Sequence, residues 1–124
     1  MGTFIKFPPH ENNPQFIGMP ELSASISTEE GQLILAGCSH STIETIIQET
    51  LKVRKENIRL VTGGFHLIHY DRAYIEGLAK RMHGDYGVEQ VPPAHCTGHL
   101  GFSVFKQVFG DRYKFFGLGE TLQF

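Results

Sequence analysis

The chain has 124 residues, enough for one domain that buries roughly two thirds of the surface its unfolded form exposes. A formal net charge of −2 leaves no basic footprint for nucleic acid and no polybasic segment for a membrane surface, and no apolar run approaches the ~20 residues of a membrane span. With 40% hydrophobic residues, two cysteines and no signal-peptide pattern, the expectation is a cytoplasmic globular protein, not a secreted disulfide scaffold.

Residues 1–20, "MGTFIKFPPHENNPQFIGMP", hold four of the six prolines and show no regular period, so they read as an extended N-terminal arm. The apolar Phe4, Ile5, Phe7, Phe16 and Ile17 suggest that this arm docks on a surface. Residues 21–124 form the remaining unit. "LSASIS" alternates with period two, and "EEGQ" turns the chain into "LILAG", giving a hairpin that ends at Cys38. Ser41 and Glu44 have capping-box spacing, and Ile43, Ile46, Ile47 and Leu51 then share one helical face.

"IRLVTGG" reads as a buried strand closed by two glycines. Asp71 caps a second helix with Ile75, Leu78, Ala79 and Met82 on its inner stripe. "VEQVP" is a short strand that Pro92 and Pro93 stop. "HLGFSVFKQVFGDR" is a third helix with Phe102, Phe105 and Phe109 inward and Gly110 at its C-terminal end. "YKFFGL" and "TLQF" read as closing strands. The order β-β-α-β-α-β-α-β points to an α/β layer architecture, in which ligands collect beyond the carboxyl ends of the strands.

Three histidine-bearing segments lie at such ends: "GCSH", "GGFHLIH" and "PAHCTGH". In the first, Cys38 and His40 offer a sulfur and a nitrogen to a metal, a mixture that suits zinc. The bland alternative makes Cys38 a buried small hydrophobe and His40 a turn residue. In the second, Gly63 and Gly64 permit a close approach of backbone to a ligand. His66 is then a metal ligand, a partner for an anionic substrate, or a residue wedged at a strand end, and His69 is a surface residue. In the third, His95 is the best placed ligand, just past a strand. Thr97 and the amides at the following helix start offer an anion seat. Cys96 is expected to turn into the core, and His99 to begin the helix. His10 and His83 lack context. No nucleophile elbow, Walker sequence or dinucleotide fingerprint is present. A cysteine–histidine nucleophile pair, or a redox module using the two thiols, stays open.

"GCSH", "GGFHL" and "HCTG", in that order and with the "FGDRY" and "GLG" ending, resemble the C-terminal half of a metallo-β-lactamase-fold metal-dependent hydrolase. The subgroup they resemble is that of the dihydropterin ribofuranosyl-aminobenzene phosphate synthase-like proteins. The resemblance runs from about residue 20 to the C-terminus. It implies half of an αββα sandwich: a mixed β-sheet with helices on one face, completed by a partner half. It further implies a divalent metal, zinc before manganese or iron, and hydrolysis of a phosphoester or related ester by a metal-bound hydroxide. His95 matches the family's late histidine ligand, and Cys38-Ser39-His40 occupies the place of its bridging aspartate, with His40 favoured over Cys38. His66 matches a catalytic pocket residue beside the metals, and Gly64 and Thr97 are assigned to substrate or anion binding.

The family's His-x-His-x-Asp-His cluster is absent from these residues. Catalysis by this chain alone is therefore not expected, and the metal is expected to bind weakly or not at all. A lone half would bare the alternate side chains of "LILAG" and "IRLV", so pairing is expected, with a second copy as a homodimer or with a separate N-terminal-half chain. The alternative is a non-catalytic dimeric remnant that binds a metal or a small anion.

Overall fold

The computed structural model describes residues 2–6 and 20–123, with side chains from 21 to 123. Strands β1 (Gly2–Lys6), β2 (Pro20–Thr28), β3 (Gly31–Leu35), β4 (Ile58–Gly64) and β5 (Pro93–Ala94) form one sheet in chain order. Pairing is antiparallel from β1 to β3 and parallel from β3 to β5. Helices α1 (Ile43–Val53) and α2 (Arg72–Gly84) make the two parallel crossovers, and α3 (Gly98–Phe109) follows β5. The mixed sheet and three helices match the expected half-sandwich. Of the N-terminal arm, residues 2–6 pair with β2; residues 7–19, including His10, lie outside the described residues, as does Phe124.

The helices share one face of the sheet because their apolar stripes and the strands' alternation meet there. Ile34 and Val61 stand opposite each other in the β3–β4 register and join one buried cluster. Ile43, Ile46 and Ile47 of α1, the four stripe residues of α2, and Val104, Phe105 and Phe109 of α3 complete it. Gln32, also fully buried on β3, is satisfied. It accepts from Ser25 Oγ at 2.8 Å and donates to the Arg54 and Glu56 carbonyls at 3.1 and 2.9 Å, tying the loop after α1 to the sheet. Among the described residues no helix is long and apolar enough to cross a membrane.

The opposite face is only partly bare. Leu33 and Leu60 are buried, whereas Leu22 (63%), Ile26 (47%) and Leu35 (37%) stay exposed, so the uncovered apolar area lies on β2 and at the end of β3.

Local differences from the sequence reading have identifiable causes. Helix α1 is capped by Thr42, whose Oγ1 accepts from the Thr45 amide at 3.2 Å, and not by Ser41. Ser41 is taken by Glu21, which accepts from its amide at 2.9 Å and its hydroxyl at 2.7 Å, and also from the His40 amide. Pro92-Pro93 does not end the fifth strand. Pro93 pairs with Gly63, which an edge strand tolerates because its lost N–H faces no ladder partner. The expected closing strands do not form. Tyr113 makes one isolated bridge to Val91, and residues 114–123 run without a ladder.

Two predictions follow from this packing. Gly63 has φ 128°, and a Cβ there would lie 2.1 Å from the Ala36 carbonyl oxygen. Gly63→Ala should cost more than about 2 kcal/mol, whereas Gly84→Ala, in open space at the end of α2, should stay within about 1 kcal/mol of the parent. Urea midpoints at constant slope measure both. Burial pushes the Glu21 carboxyl up, but the bonds from Ser41 and His40 and the nearby His40 ring outweigh it and hold it below the usual 4.5. A carboxylate with a lowered folded pKa stabilises above its unfolded value, and that contribution disappears as pH falls through the folded one. Thermal melts should therefore show the parent losing stability on acidification below about pH 5, and Glu21→Gln losing less over the same range.

Candidate metal centre

The site is built where β3, β4 and β5 end side by side. Main-chain bonds fasten the strand ends and their loops to one another: Ala36 N to Thr62 O at 2.8 Å, Gly64 N to Gly37 O at 2.8 Å, and Leu67 N to Cys96 O at 3.2 Å. Thr97 adds a side-chain staple. Fully buried, its hydroxyl accepts from the Phe65 amide at 3.1 Å and donates to the Ala94 carbonyl at 2.7 Å. Thr97 and Gly64 thus hold the loops together, and neither the Gly64 amide nor the Thr97 proton is left to meet an anion.

Gly64 has a second steric reason to be glycine. A Cβ there would stand 2.7 Å from Cys96 Sγ and 2.9 Å from the Gly37 carbonyl oxygen. The missing side chain lets the Cys96 thiol lie against β4 beside Cys38. Cys96 Sγ donates to the Cys38 carbonyl at 3.4 Å. One ligand atom each from Cys38, Cys96 and His95 lies within 4.8 Å of the other two. The thiols are half-buried and His95 is exposed. Burial first, then the contact with Cys38, push the Cys96 thiol up, so it carries its proton unless a cation replaces it.

His40 stands apart from this trio. Its Nδ1 is 3.1 Å from Glu21 Oε1, and its ring meets the His66 ring edge-on, with centroids 4.5 Å apart. His66 in turn lies 5.6 Å from the exposed His69. His66 Nδ1 is buried without a hydrogen-bond partner among the described residues. Burial, followed by proximity to His40 and His69, lowers the proton affinity of His66, leaving a neutral imidazole beside the trio's loops. His83 packs on Phe109 below the core, and His99 is exposed at the start of α3.

The backbone is strained in these loops. Among the described residues, the non-glycine residues with positive φ are Ser39 (57°), Thr42 (76°), His66 (51°) and His95 (50°). All four belong to the three loops. Each such conformation costs on the order of 1–3 kcal/mol and persists only where the surroundings impose it, which is common at functional sites.

Against the sequence expectations, the structure brings Cys38 and His95 together, sets His40 beside Glu21, and adds Cys96 in place of a core orientation. The bare Gly64 leaves the space the Cys96 thiol takes, and the left-handed φ of His95 (50°) sets the backbone just before it. The adjacent His-Cys pair was the available signal. For His40 there was none, since its carboxylate partner lies 19 residues upstream on another strand.

No family model matches the chain. It is 31% identical over 105 residues to the 7,8-dihydropterin-6-methyl-4-(β-D-ribofuranosyl)-aminobenzene-5′-phosphate synthase of Methanocaldococcus jannaschii, covering 84% of this chain and 35% of that protein. Its structure superposes with a TM-score of 0.81 and 30% identity on Tm1679, described as a metal-dependent hydrolase of the β-lactamase superfamily, covering 98% of this chain and 46% of that one. The chain thus spans less than half the length of either protein. By fold and by sequence, the chain resembles about half of a metal-dependent hydrolase of the β-lactamase superfamily.

Proposed function

We propose that this chain carries one wall of a hydrolytic metal centre in which Cys38, His95 and Cys96 hold a divalent ion. The carrying observation is the convergence of their three ligand atoms within 4.8 Å at the carboxyl ends of parallel strands. The spacing fits the group. Tetrahedral zinc with sulfur and nitrogen ligands sets its donor atoms about 3.5–3.8 Å apart, a small adjustment from the arrangement seen. Two thiolates and an imidazole favour zinc over manganese or magnesium, which take oxygen ligands. Three protein ligands leave the fourth position open, as in catalytic sites.

A metal held there would supply Lewis acidity toward a phosphoester or related ester and toward water. The protein's own contribution is positional. His66, neutral and with an unpartnered buried nitrogen, is the group placed to accept or hold a proton near a substrate entering between the β3 and β4 loops. His40, steadied by Glu21, fixes the His66 ring by edge contact.

The second wall comes from outside these residues in this reading. The exposed Leu22, Ile26 and Leu35 mark the sheet face on which a second copy, or a chain bearing the other half, would pack. The competing reading is a non-catalytic dimer that binds a metal or small anion without turnover.

Elemental analysis across variants tests the centre. Cys38→Ser, Cys96→Ser and His95→Ala should each weaken zinc binding on the order of a hundredfold, whereas His40→Ala should keep the stoichiometry. Zinc retained by all three ligand variants and lost from His40→Ala would overturn the assignment. Because two thiols and an imidazole must shed protons to bind, zinc affinity should fall as pH drops from about 8.5, and more steeply below about 6.5, where imidazole also takes up a proton. Turnover of bis(p-nitrophenyl) phosphate by the zinc-loaded assembly, lost in His66→Ala with metal content intact, separates the hydrolase from the non-catalytic dimer; zinc-loaded protein with no turnover in any assembled form favours the latter.

A further inference from the structure

A cavity of about 420 Å³ adjoins the metal group and shares His95 with it. Its walls are apolar and largely aromatic: Pro93, Ala94, Phe102, Tyr113, Phe115 and the 116–118 segment. Apart from His95 and the Tyr113 phenol, no side chain of the lining is polar, and none carries a carboxylate or a lysine or arginine cation.

These walls are not leftovers of the core. Helix α3 turns Val104, Phe105 and Phe109 into the buried cluster, while Phe102, on the same face in the first turns of the helix, is half-buried and lines the cavity. Beyond α3 the chain is pinned where Lys114 N bonds the Val91 carbonyl at 3.1 Å, and the next residues line the opening. Phe115 is 76% exposed and Leu118 is fully exposed, an arrangement that leaves apolar surface in water without packing return. The Phe115 ring rests on Gly117, where a Cβ would approach it to 3.2 Å.

We propose that this cavity receives a neutral, flat apolar group of the substrate, an aromatic ring or fused ring pair. That it belongs to the substrate rests on the metal-centre reading above. Size agrees: a dry cavity of about 150 Å³ already takes a benzene, and small-molecule pockets run from about 300 to 1,000 Å³. Chemistry agrees as well. Aromatic walls offer edge and offset contacts to a ring, and a lining without cations or carboxylates has nothing to hold a charged group. The anionic part of the ester is thereby left to the metal side of His95. The cavity selects among esters by the group they carry.

Two fluorescent probes separate the cavity from the metal centre. 1-Methoxynaphthalene has no anionic group, and 1-naphthylmethylphosphonate adds one that is not hydrolysed. On zinc-loaded protein the first should bind saturably, and Phe102→Ala and Phe115→Ala should each weaken it about fivefold. Val53→Ser, which removes an equally exposed apolar residue at the end of α1, should leave it unchanged. Phe115 makes a safe second variant because it lies largely in solvent, and circular dichroism checks both folds. Absence of saturable binding, or binding that neither phenylalanine variant alters, would overturn the cavity's role. The phosphonate should bind at least about tenfold more tightly than the ether. Equal affinity of the two probes, with both still weakened by the phenylalanine variants, would uphold the cavity and overturn the metal-centre reading instead.

Discussion

The site depends on one steric constraint, the contact of the β4 end with the β3 end. Gly63 and Gly64 lie so close to the Ala36–Cys38 backbone that a methyl group on either would meet a carbonyl oxygen within 2.9 Å. This approach allows the Gly64 amide to bond Gly37 and the Cys96 thiol to pass over Gly64 toward Cys38. A wider separation would draw the two sulfurs, which sit on different loops, apart. The glycine pair therefore sets the distance on which every proposed ligand contact relies, although neither glycine carries any chemistry.

The loops built on that contact are held in costly shapes. Four left-handed residues, each unfavourable by a few kcal/mol at most, are clustered in three short segments, and the bonds of Thr97, Glu21 and the strand ends hold them there. The arrangement suits a centre that must be formed before its ligand arrives, because the ordering cost is met by folding and not by binding. Glu21 has two tasks in it. Its carboxylate replaces a helix cap for the His40 and Ser41 amides and orients the His40 ring, which in turn abuts His66.

Much of this was legible in the sequence, and the exceptions are instructive. Hydrophobic period and capping chemistry located the hairpin and three helices, because Ile43, Ile46, Ile47 and the α2 stripe bury themselves as their spacing requires. The three motif loops were legible as strand ends. What escaped were choices made by tertiary contact. Ser41 yields the cap to Thr42 because Glu21 arrives from a distant strand; Pro93 survives in a strand because that strand lies at an edge; and Phe102, though on the stripe, meets a cavity bordered by the chain after α3 instead of the core. Which of Cys38, His40 and Cys96 face one point depended on the positive φ values of Ser39 and His95 and on the space left at Gly64, and no spacing rule encodes these.

The three candidate ligands gather at the strand ends, and exposed leucine and isoleucine side chains lie on the sheet face away from the helices. The account's central claim is the identity of the three ligands. X-ray absorption at the zinc edge of the zinc-loaded protein tests it most directly. The account predicts a first shell with two sulfurs at about 2.3 Å and one imidazole nitrogen at about 2.0 Å. A shell made of nitrogen and oxygen alone would contradict it.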